Sequence, residues 1–105
     1  MKQLDVTIVR VYLTESEAHV DTLLKRLHEW GKVRGVTVFR GIAGFGPSGT
    51  MHGASLVDIS LDLPVVVEFF DVPDKAQEMI DYLYPMVKSG HVVSWPAQVA
   101  VDDGE

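Results

Sequence analysis

The chain has 105 residues, 47% hydrophobic and 23% charged, which bounds it to one small folded domain with a single core. A formal charge of −6 argues against nucleic acid as a partner, because binding to a phosphate backbone depends on clustered Lys and Arg releasing counterions. The lack of cysteine removes disulfides, thiolate zinc sites and thiol nucleophiles. Charges within the apolar start "MKQLDVTIVR" argue against a signal peptide or membrane span there, so a cytoplasmic protein is expected.

Residues 4–13, "LDVTIVRVYL", are rich in β-branched side chains and predict a strand. Thr14 and Glu17 stand at capping-box spacing, and Val20, Leu23, Leu24, Leu27 and Trp30 follow at helical spacing, which predicts a helix from about Glu15 to a stop at Gly31. "GVTVFRGIA", residues 35–43, predicts a second strand. "SLVDISLDLPVVVEFFDV" predicts a third, broken near Asp62 to Pro64. Pro73 marks a helix start, Ala76, Met79, Ile80, Leu83 and Val87 form its apolar stripe, and Pro85 kinks or ends it. "HVVSWPAQVAV", residues 91–101, is the last strand.

The order βαββαβ predicts an α+β, ferredoxin-like fold: a four-stranded antiparallel sheet with two helices on one face. Two helices cover one face only, yet Val65-Val66-Val67 and Phe69-Phe70 put apolar side chains on both. Other copies of the chain are the natural cover for the second face.

Five of the nine glycines fall within residues 41–53, and Gly44 to Gly49 spells G-x-G-x-x-G. A dinucleotide fingerprint needs those glycines between a strand and a helix, so that the helix N-terminus faces the pyrophosphate. Here they lead from strand to strand, which predicts a glycine-rich loop whose backbone N–H groups could line an anion nest. His19, His28, His52 and His91 have no metal-ligand spacing and read as surface or capping residues, with His52 of interest because it lies in that loop. Asp58, Asp62 and Glu68 share one strand parity with Val66 and Phe70, which favours ion pairs with Arg10 or Arg40 over acid–base catalysis. Trp30 and Trp95 read as core or interface anchors. No catalytic residue and no metal ligand is assigned.

These residues resemble the PII-like signalling proteins, most closely a branch known as a domain of unknown function. The resemblance spans nearly the whole chain and is most specific over residues 40–71, "RGIAGFGPSGTMHGASLVDISLDLPVVVEFFD". It implies one PII-like domain over residues 1–105 with a mobile loop, the T-loop, at about 44–55. It also implies a homotrimer whose sheets face inward, with clefts between subunits that bind an adenine nucleotide. Carried over, the binding residues are Arg40, Gly41, Gly44, Phe45 and Gly46 at the loop base, Ser48 and His52 in the loop, and Glu68 on the following strand. A second element, "KSGHVV" at residues 88–93, is shorter than the family's phosphate-holding loop and contributes Lys88, Gly90 and His91. The basic C-terminal segment of PII proper is replaced by acidic "VDDGE", and residues 41–55 hold no tyrosine for the modification seen there.

The function this implies is regulatory. A small-molecule effector orders the loop, and the loop's shape alters docking to a membrane transporter or another regulated protein. Two other readings fit the same predicted fold: a small oligomeric enzyme of monooxygenase or isomerase type, and a trimeric divalent-metal-binding protein.

Overall fold

A computed structural model describes residues 1–14, 20–46, 49, 51–53 and 63–105. In chain order the elements are β1 (Lys2–Thr14), α1 (Val20–Lys25) running on into a π-helical turn (Arg26–Gly31), β2 (Gly35–Arg40), β3 (Ala43–Phe45), β4 (Met51–Gly53), β5 (Pro64–Asp71), α2 (Pro73–Leu83) with a 3-10 turn (Tyr84–Met86), and β6 (Val92–Val101). The main sheet has the order β2-β5-β1-β6 with every neighbour antiparallel. β3 and β4 form a separate two-stranded ribbon. The predicted βαββαβ arrangement is thus observed, with the ribbon inserted between its second and third strands.

Alternation along β5 sorts the sheet into two faces. Val65, Val67, Phe69 and Asp71 are buried, while Val66, Glu68 and Phe70 are half-buried. Register carries the same split across β1, where Val9, Val11 and Leu13 oppose Phe69, Val67 and Val65. These residues join Leu23 and Leu27 from the first helical segment and Ala76, Met79 and Leu83 from α2 in one core, so both helices lie on one face as expected.

Pro73 opens α2, where its missing N–H is no loss, and Pro85 turns the end of the helix into a 3-10 turn that leaves Val87 outside it. Gly31 closes the first helical segment against α2, where a Cβ would stand 2.7 Å from the Met79 thioether. Lys32 follows in the left-handed conformation, φ 50°. The capping residue Glu17, together with His19, lies outside the described residues.

One strand boundary differs from the sequence expectation. β2 stops at Arg40 rather than continuing to residue 43. Gly41 N–H donates to the Pro64 carbonyl at 2.7 Å, and Pro64 has no N–H to return the bond, so the ladder ends there. A Cβ on Gly41 would sit 2.7 Å from Pro64 Cγ, so a glycine lets the chain pass the proline ring before it turns out into β3.

Candidate ligand-binding site

The glycine-rich stretch is a β-ribbon, where the sequence suggested only a loop. Ala43 pairs with Gly53, Gly44 with His52, and Phe45 with Met51, while Gly49 N–H donates to the Gly46 carbonyl at 2.9 Å with Gly49 at φ +76°. Strand leads to strand, and the G-x-G-x-x-G spacing ends on no helix. A Cβ on Gly44 would come within van der Waals distance of Pro64, and one on Gly46 would meet nothing within 4 Å among the described residues. Ile42, at the ribbon root, and Phe45, next to its turn, are 83% and 70% exposed. Ser48, Asp58 and Asp62 lie outside the described residues.

The second predicted element is a tight turn. His91 N–H donates to the Lys88 carbonyl at 3.2 Å, and Gly90 stands at φ +82°, the conformation a type II turn requires at its third residue. A Cβ at Gly90 would meet nothing within 4 Å, so any penalty there is purely conformational. Gly90→Ala is expected to cost about 1–2 kcal/mol, read by urea unfolding, with Gly90→Asn recovering part of the loss.

His91 fastens this turn to β1. Tyr12 N–H donates to the His91 carbonyl at 2.9 Å, and His91 Nδ1 lies 2.8 Å from the Tyr12 carbonyl. A carbonyl only accepts, so Nδ1 carries the proton and Nε2 keeps its lone pair while the ring is neutral.

Register places both elements at one end of the sheet. Arg40 pairs with Val65, Thr14 with Pro64, and Val92 with Val11. They stand on opposite edges, however, because β2 and β6 are the outer strands. Three strand spacings separate those edges, about 14 Å. The structure therefore collects Arg40, Gly41, Gly44, Phe45, Gly46 and the backbone of His52 at one edge, and Lys88, Gly90 and His91 at the other.

Glu68 belongs to neither edge. It sits mid-sheet on the face away from the helices, with Glu68 Oε1 accepting from Arg10 Nε at 2.7 Å. Of the two partners the sequence offered, register selects Arg10, which is directly opposite on β1. The Arg10 guanidinium lies 5.4 Å from the Trp95 ring centroid, and Glu68 holds its pKa above the ordinary arginine value. Around this pair the face is apolar: Tyr12, Phe39, Val93 and Trp95 are all exposed there. Among the described residues no three His, Asp or Glu side chains converge as a metal set, and no helix is long and apolar enough to cross a membrane.

Comparison with known proteins fits this architecture. Residues 6–99 match the DUF190 family model, described as "Uncharacterized ACR". A UPF0166 protein of Aquifex aeolicus is 32% identical over 76 residues, covering 72% of this chain and 74% of that protein. Among solved structures, CPII from Thiomonas intermedia K12, bound to ADP and bicarbonate, superposes with a TM-score of 0.71 at 20% identity, covering 93% of this chain and 91% of that one. The divalent ion tolerance protein CutA1 from Ehrlichia chaffeensis shares the fold more distantly, with a TM-score of 0.60 at 9% identity over 94% of this chain and 86% of that one. The fold is that of PII-like proteins, and the chain belongs to the DUF190 family.

Proposed function

We propose that this protein is a PII-like regulator that senses an adenine nucleotide at clefts between three copies of itself and signals to a partner through the glycine-rich ribbon. The observation that carries this reading is that the ribbon root and the 88–91 turn lie at one end of the sheet but on opposite edges. One copy cannot close them around a nucleotide, whereas a head-to-tail ring sets the β2 edge of one copy beside the β6 edge of the next. The same ring covers the face that carries Phe39, Tyr12, Val93 and Trp95.

In that cleft the backbone N–H groups around Gly44 and Gly46 and the side chain of Lys88 are the donors for phosphate, while His91 holds the 88–91 turn against β1. Glu68 serves the covered face instead of the ligand. Phosphate binding orders the ribbon, and the ordered ribbon presents Ile42 and Phe45 to a membrane transporter or another regulated protein. The ADP bound to CPII supports the choice of nucleotide class. The relation to CutA1 keeps a metal-binding role within reach of the fold, but no group of ligands among the described residues favours it.

Titration calorimetry of the purified protein with ATP, ADP, AMP and cyclic AMP tests the reading. Saturable binding at one site per chain is expected for at least one of them, weakened at least about tenfold by Lys88→Ala, since hydrogen bonds to charged groups are worth about 1.5–3 kcal/mol. Heat-silent titrations with all four nucleotides would remove the nucleotide from the proposal.

A further inference from the structure

A cleft of about 640 Å³ opens at the far end of β2, between the π-helical turn and the start of that strand. Its size is that of a small-molecule site. Leu24, Leu27, Val33 and Val36 supply apolar walls, and His28, Lys32 and Arg34 supply polar ones. In a chain with 15 acidic and 9 basic residues, the lining contains, among the described residues, two permanent cations, an imidazole and no carboxylate. Among the described residues neither the Lys32 ammonium nor the His28 ring has an ion-pair or hydrogen-bond partner.

The polar wall is held in place by the backbone. Lys32 N–H and Val33 N–H both turn back to the Leu27 carbonyl, and Lys75 Nζ donates to the Lys32 carbonyl at 3.1 Å. Arg34 N–H donates to Oδ2 of the buried Asp71 at 3.1 Å, and the other Asp71 oxygen accepts from Val72 N–H at 2.7 Å. Lys32 keeps a left-handed backbone, φ 50°, as the cap that ends the helical segment. One carboxylate already approaches from outside: Glu105 Oε1 lies 2.6 Å from Arg34 Nη1, on a pair that is partly exposed on both sides.

We propose that this cleft binds a small monocarboxylate with an apolar body, an aliphatic or aryl acid of metabolite size, with Arg34 and Lys32 on the carboxylate, Leu24, Val33 and Val36 around the body, and the buried Leu27 behind them. Glu105 occupies Arg34 in the empty protein and is displaced on binding. The site lies at the opposite end of the sheet from the ribbon root and the 88–91 turn, and it stands or falls independently of the nucleotide reading.

Octanoate is the probe, followed by NMR of the methyl groups of Leu24, Leu27, Val33 and Val36 in the full chain, with octanol and acetate as controls. Expected are saturable shifts at those methyls with octanoate, binding at least about tenfold weaker for octanol, which lacks the charge, and weak binding for acetate, which lacks the body. Arg34→Gln combined with Lys32→Asn should weaken octanoate at least about tenfold, while Glu105→Gln should tighten it a few-fold by freeing Arg34. Nucleotide binding by the Glu105→Gln variant should stay at the parent level. The proposal is overturned if octanol binds as well as octanoate, if shifts gather at Val93 and Trp95 instead, or if Glu105→Gln leaves the affinity unchanged. Should the double variant misfold, the octanol comparison and Glu105→Gln still decide the matter.

Discussion

Phe69→Ala is expected to lower the unfolding free energy by about 3–5 kcal/mol, the range for truncating a fully buried aromatic side chain. Phe69 is fully buried at the centre of the core, where β5 faces Val9 on β1, Val36 on β2 and the helices above. The loss is a large share of the roughly 5–15 kcal/mol that holds a small domain together. Urea unfolding should show a lower midpoint with an unchanged slope, since the native fold and the surface it exposes on unfolding stay the same. Phe70→Ala, one residue along and on the opposite face, should cost clearly less in dilute protein, because that side chain is only half-buried. Equal losses at the two positions would contradict the division of the sheet into a packed face and an open one.

Glu68→Ala carries the other large effect, and its size depends on what covers the open face. In a lone chain the Arg10–Glu68 pair is partly exposed, with side chains 39% and 24% accessible, and exposed pairs contribute little. In the proposed trimer the pair is enclosed, and removing Glu68 leaves a desolvated guanidinium beside Trp95 and the Tyr12 side chain, with its carboxylate partner gone. The variant is expected to keep near-parent stability as a dilute monomer while the concentration for half-dissociation rises at least about 100-fold. Light scattering across a dilution series reads this directly. Exchanging the charges, Arg10→Glu with Glu68→Arg, should restore part of the assembly. If the parent and Glu68→Ala proteins dissociate at the same concentration, the covered surface lies elsewhere.

The strand and helix order was legible because its signals are local. β-Branched runs, a stripe at helical spacing and the stops at Gly31 and Pro85 each act within a few residues. What the sequence did not reveal depends on neighbours far along the chain. β2 ends early because of Pro64, a strand away. Residues 43–45 and 51–53 pair as a ribbon although their glycines carry weak strand propensity, since a hairpin gains from cross-strand bonds that composition does not express. The choice of Arg10 over Arg40 for Glu68 needed the register of β1 against β5. The cleft beside β2 gave no motif at all, because Leu24, Lys32 and Val36 become neighbours only when the π-helical turn folds back along the strand.

The distance between the sheet's two outer edges bears on how such a protein would behave in a cell. With the ribbon root on β2 and the 88–91 turn on β6, about 14 Å apart, a nucleotide held by both is held by two different molecules in the proposed ring. Binding then fastens neighbours together, and dilution loosens the ligand as well as the ring. In the proposed ring a scarce chain would need more effector to respond than an abundant one, so the level at which the protein is made would set the threshold it reads.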